Sequence, residues 1–149
     1  MAPFIVLIAL FGFFYLLGSV WFPSQLNWLT SLRLALAGMF LLTASAHWGK
    51  RRRDLIAMVP PTFPKPDLLV TVTGILEILG AIGLMLPTVA PYAALGLFLM
   101  LLAVFPANVH AARQQLSIAG RRVEALLPRT LLQLVFLAAT VTVFMAARH

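Results

Sequence analysis

The sequence predicts an all-α membrane protein, a transmembrane helical bundle of about five helices. Three observations predict it. Of the 149 residues, 62% are hydrophobic and 10% are charged, and the mean hydropathy is +0.99. Such a balance belongs to a chain whose solvent is hydrocarbon. Apolar runs recur along the whole chain at about 19 residues, the length that crosses a bilayer as a helix. The basic residues, which bring the net charge to +7, gather beside these runs and read as topology determinants rather than as a nucleic-acid surface. The length allows one domain, residues 1–149. With no cysteine, disulfides, thiolate catalysis, iron–sulfur ligation by this chain and c-type haem attachment are excluded.

The first span is Phe4 to Phe22. It has no basic segment before it, and its exit, Gly18-Ser19-Val20-Trp21-Phe22, is too bulky for a signal-peptidase site. It reads as a retained helix rather than a cleaved leader. Pro23-Ser24 ends it, with Trp21 and Trp28 as interface aromatics around the turn. The second span is Trp28 to Trp48, with Arg33 near its start and His47 near its end. Their spacing of about four helical turns puts both on one face. Lys50-Arg51-Arg52-Arg53 stops it.

A connector follows from Asp54 to Asp67. Pro60, Pro61, Pro64 and Pro66 forbid a continuous helix. Leu55, Ile56, Met58 and Val59 are too apolar for a solvated linker. The expectation is a short interfacial helix, then a stiff loop over the mouth of the bundle, with Asp67 as N-cap of the next span.

The third span, Leu68 to Leu86, carries Glu77 near its centre. A charge at that depth costs at least ~2.5 kcal/mol on insertion scales. Glu77 must therefore be protonated, paired, or turned to a wet cavity. Thr73, Gly74, Gly80 and Ala81 share its face and would let a neighbouring helix approach. The fourth span runs from Ala90 to Ala112; Pro106 should kink it and free a carbonyl, with Asn108 and His110 just beyond. The stretch from Arg113 to Pro128 is polar and basic. The fifth span is Arg129 to Ala147, with Pro128 at its start and Gln133 one turn in.

The two basic connectors follow the second and fourth spans, so five spans put them on the same side. The excess of lysine and arginine there assigns both, with the N-terminus, to the cytoplasm and the C-terminus to the outside. His47, Asn108, His110 and Gln133 then lie near the cytoplasmic boundary, Glu77 is central, and Arg33 lies toward the outer face. About 21 Å of helix from Arg33 to His47 brackets Glu77. An Arg33–Glu77 pair competes with snorkelling of Arg33 to outer head groups. His47 is open to a loop carbonyl, Asn108 to capping the break at Pro106, Gln133 to an interhelical hydrogen bond, and His110 to the surface. Two histidines at this spacing argue little for haem. One glutamate with scattered histidines is not a metal-ligand set. No Walker loop, GxGxxG or nucleophile–base spacing occurs.

One combination of motifs is more specific. Arg33, His47-Trp48, MVPPTFPKPDLLVTVTGILEILGAIGLMLP, AVFPANVHAA, and then Leu127-Pro128-Arg129 with Gln133 resemble the DoxX-like family of small bacterial integral membrane proteins. Trp48 stands where that family usually has phenylalanine. The resemblance implies a four-helix core, here with an added N-terminal helix, in the bacterial inner (plasma) membrane. It also implies redox association, as in the membrane subunit of a quinone-linked oxidoreductase. Lacking cysteine, this chain would leave sulfur chemistry to a membrane or soluble partner protein. The expected ligand is a quinone or another lipophilic molecule, held at a buried polar site. Glu77 and His47 would meet its head group or carry its protons, with Asn108, Gln133 and Arg33 as further candidates. The alternative is a non-catalytic assembly or chaperone subunit whose polar groups only hold the bundle. A small transporter is disfavoured by five spans without inverted repeats.

Overall fold

The computed structural model describes residues 2–22 and 24–146, without the side chain of Arg121. Six helices account for most of the described chain: α1 (Ala2–Trp21), α2 (Trp28–Ser45), α3 (Arg52–Met58), α4 (Pro66–Met85), α5 (Ala90–Arg113) and α6 (Leu126–Ala146). All but α3 are long and apolar enough to cross a membrane, and the protein is a multi-pass membrane bundle. Each expected span coincides with one of these five helices. Pro23 and Ala147, at the edges of two expected spans, lie outside the described residues.

Four helices close a ring. Helix α2 packs on α4, α4 on α5, α5 on α6, and α6 back on α2, while α1 lies against α2 from outside. The core is apolar and belongs mostly to α2, with Leu36, Met39 and Phe40 packed among Ala81 and Leu84 of α4, Leu97 and Met100 of α5 and Val143 of α6. Small residues set the helix spacing. A Cβ at Gly38 would strike Leu10 of α1; one at Gly80 would strike Leu97, and one at Gly83 would meet Ala93. Close backbone approach is what holds helices together where lipid supplies no hydrophobic drive.

The helix ends follow local chemistry. Asn27 caps α2, its Oδ1 accepting from the Thr30 amide at 2.9 Å. Helix α4 starts earlier than expected. Lys65 is its N-cap, in the left-handed region at φ 52°, and Pro66 fills the first turn, where a missing N–H costs nothing. Asp67 is therefore not the cap but a first-turn acid, favourable beside the helix N-terminus. Helix α6 likewise begins at Leu126, which puts Pro128 inside its first turn. Helix α5 continues through Pro106 to Arg113.

The end of the bundle that carries the basic connectors is built from α3 and a hairpin. Helix α3 packs on α4 and α5, so it is α3 that lies across this end; residues 61–65 of the proline loop are exposed. The second basic connector forms a two-residue antiparallel ladder, β1 (Ser117–Ile118) with β2 (Arg121–Arg122). Its turn is Ala119 at φ 52° and Gly120 at φ 76°. Two central residues with positive φ suit a tight hairpin, but alanine bears a steric cost there. Asp54 of α3 offsets it by accepting the Ala119 amide at 2.9 Å.

Candidate functional site

The polar residues singled out in the sequence separate into three places. The first joins α2 to α4. Thr43 Oγ1 lies 2.8 Å from Glu77 Oε2 and 2.9 Å from Phe40 O of its own helix, two acceptors that share its one hydrogen. His47, in the turn after α2, sets Nδ1 at 3.2 Å from Thr43 O and 3.8 Å from Glu77 Oε2. Side-chain exposure is 10% for His47 and 12% for Glu77. Two features bring His47 here. Gly74, one turn before Glu77, has no Cβ; one built there would sit 2.7 Å from His47 Cβ and 2.8 Å from a Trp48 ring carbon. Arg52 then ties the turn down. Its guanidinium donates to His47 O at 2.9 Å, to Asp67 O at 3.1 Å and to Thr71 Oγ1 at 2.9 Å. The fork geometry of arginine lets one side chain clamp α2, α3 and α4 together.

The second place joins α5 to α6. Gln133 Nε2 donates to Leu101 O at 2.5 Å, next to the Leu102 carbonyl that Pro106 cannot serve. Asn108 Nδ2 donates to Gln133 Oε1 at 3.4 Å, and Arg129 Nη2 donates to Asn108 Oδ1 at 2.6 Å. Asn108 thus bonds across to α6 rather than capping the proline break. The third is Arg33, 9% exposed, whose Nε donates to Leu84 O at 2.9 Å. Leu84 O is among the last four carbonyls of α4, which have no partner within the helix, and a cation there complements the helix dipole. Arg33 therefore neither pairs with Glu77 nor snorkels; it ends α4.

The structure thus brings Glu77 and His47 together, and Asn108 with Gln133, and keeps Arg33 apart from both. His110 is half-buried on α5, and no hydrogen bond or ring contact joins it to His47. Three residues of these places were not singled out: Thr43, Arg52 and Arg129. Thr43 carries a readable signal, lying four residues before His47 and so on the same helical face. Arg52 sits in a run of four basic residues, and the sequence alone does not separate it from its neighbours. No three His, Cys, Asp or Glu side chains gather for a metal among the described residues.

Not all the polar atoms at Glu77 and His47 are used. Among the described residues, Arg129 Nε is the buried side-chain nitrogen or oxygen without a partner. Nothing among the described residues hydrogen-bonds to Glu77 Oε1 or His47 Nε2. An apolar groove of about 240 Å³ runs between α4 and α5, lined by Leu76, Leu79, Gly80, Ala93, Gly96, Leu97 and Met100; Glu77 is not in its lining and bonds toward α2 instead.

Fold and site together define a small helical membrane bundle with a carboxylate–histidine pair between α2 and α4. Residues 36–144 match the family model described as Domain of unknown function (DUF8561), and the chain belongs to that family. The matched region runs from within α2 to within α6 and holds His47, Glu77, Asn108 and Gln133. No curated protein and no solved structure matches the chain.

Proposed function

We propose that this chain is a DoxX-like, redox-associated protein of the bacterial inner membrane that binds a lipophilic molecule, a quinone, at Glu77 and His47. One observation carries the reading: a carboxylate near the middle of an apolar span, only partly hydrogen-bonded, has a histidine ring nitrogen 3.8 Å away. A carboxyl with an oxygen left without a hydrogen bond can meet the carbonyl or hydroxyl of a quinone head, and the apolar groove between α4 and α5 is of a kind that suits an isoprenoid tail. Asn108 bonds to Gln133 and to Arg129, and Gln133 also to Leu101 O, so the head-group set narrows to Glu77, His47 and Thr43. In this reading the chain is the membrane subunit of a quinone-linked oxidoreductase. Its redox partner is a separate protein, and the N-terminus and both basic connectors face the cytoplasm.

A second reading has its own support. Thr43 of α2 bonds Glu77 of α4, with His47 beside both, as in an assembly subunit whose polar groups only lock α2 to α4. Protein purified in mild detergent separates the two. The quinone reading expects co-purifying quinone in the lipid extract, and roughly tenfold weaker retention in Glu77→Gln with at most a small drop in melting. Full retention in a stable Glu77→Gln protein removes Glu77 from the site. No bound quinone, even after quinone is added, leaves the assembly reading. A Soret band would point to haem instead.

A further inference from the structure

The open atoms of the carboxylate–histidine pair lie at its two ends. Nδ1 of His47 is turned inward, toward Thr43 O and Glu77 Oε2, and Nε2 is left unpaired. Thr43 O can only accept, so the hydrogen of the neutral ring sits on Nδ1 and the Nε2 lone pair is free. His47 lies where α2 gives way to the basic connector, whereas Glu77 lies near the middle of α4. The ring, 10% exposed, thus stands between the end of α2 and the carboxylate.

We infer that His47 is the proton entry to Glu77, passing protons from the basic end of the bundle to the interior carboxylate. The inference rests on the proposed quinone site only for the use made of the proton, not for the transfer itself. The step balances without electrons. Nε2 takes a proton from water at the basic end, and the ring becomes imidazolium. The Nδ1–H bond then breaks as an O–H bond forms on Glu77 Oε2. A carboxylic acid and a neutral imidazole with hydrogen on Nε2 remain, and tautomer exchange resets the ring.

The 3.8 Å separation exceeds hydrogen-bond reach by roughly half an ångström; a small side-chain shift or one water closes it. The surroundings favour this route. Arg52, from α3, is the charged group bonded to the His47 turn; arginine does not release its proton, so it clamps the path without competing in it. From α4 the titratable group facing the ring is Glu77 itself, and neither α5 nor α6 bonds to His47 or Glu77 among the described residues. Gly74 lets the ring lie against α4, since any Cβ would occupy its place.

Infrared spectroscopy of the full-length protein in lipid films tests this. The carboxylic acid band of Glu77 is identified by its loss in Glu77→Gln, and its hydrogen–deuterium exchange is timed. Exchange should slow at least about tenfold in His47→Gln and His47→Ala, and added imidazole should restore it in His47→Ala. Wild-type exchange in His47→Gln overturns the inference. Slow exchange that imidazole does not rescue also overturns it, because it assigns His47 a structural role. Quinone retention is measured on the same samples. Loss of quinone with His47-dependent exchange removes only the quinone reading; retained quinone with His47-independent exchange removes only the relay.

Discussion

At the scale of single residues, Arg33 and Glu77 show how an intramembrane charge finds its place. Both are costly in hydrocarbon, and pairing them is the obvious remedy. The bundle instead gives each its own partner: a helix-end carbonyl for Arg33, and Thr43 with His47 for Glu77. The two sites share no partner, so their energies should be nearly independent. Arg33→Gln should lower stability by about 1.5–3 kcal/mol, the loss of a charged hydrogen bond to Leu84 O. Glu77→Gln keeps an acceptor for Thr43 and should cost roughly 1 kcal/mol or less. The double mutant should equal the sum of the two within about 0.5 kcal/mol. Thermal melting of the three variants in detergent is the measurement, and a coupling several times larger would mean that the two side chains pair.

At the scale of elements, α3 and the hairpin make one unit. Arg52 fastens α3 to the ends of α2 and α4, and Asp54 fastens it to the Ala119 turn. Ala119→Gly should be stabilising, by up to about 1 kcal/mol, because glycine takes the left-handed conformation without the Cβ clash. Asp54→Ala should loosen the turn and speed amide exchange at Ala119. Faster exchange elsewhere in the bundle but not there would contradict this arrangement. The five long helices were legible in the sequence because apolar length and charged stops are set residue by residue. The short α3 was legible from apolar residues that a solvated linker would not carry. The hairpin was not, since alanine at a positive φ follows from a carboxylate 65 positions away. The grouping of site residues was hidden for the same reason. Depth along each helix can be counted from the sequence, but which faces meet depends on packing around the ring. Gly74, read as a small residue for helix approach, does more specific work by leaving room for the His47 ring.

At the scale of the whole molecule, the ring of α2, α4, α5 and α6 has one basic end. Lys50, Arg51, Arg53, Lys65, Arg113 and Arg122 are exposed there. The positive-inside rule then makes an expectation for orientation. Reporter fusions after Arg53 and after Arg122 should report the cytoplasm, and a fusion after His149 the outside. A cytoplasmic signal at the C-terminus would contradict the five-pass arrangement, and would be explained most simply if α1 did not cross.

The position of α1 outside the ring bears on how the chain enters the bilayer at all. Helix α2 contributes most to the core, yet it is the least apolar of the five spans, with hydropathy 1.3 against 2.3 for α1. A nascent α2 carrying Arg33 is a weak client for the insertion machinery, since its buried partners have not yet been synthesised. Helix α1 is made just before it and fits against it through Gly38. The two should therefore partition into lipid as a hairpin, the strong segment carrying the weak one. In a glycosylation-mapping assay, α2 in an otherwise inert host should insert inefficiently alone and efficiently behind α1. Gly38→Leu should blunt that help, and equal insertion of α2 with and without α1 would show that α1 has no such role.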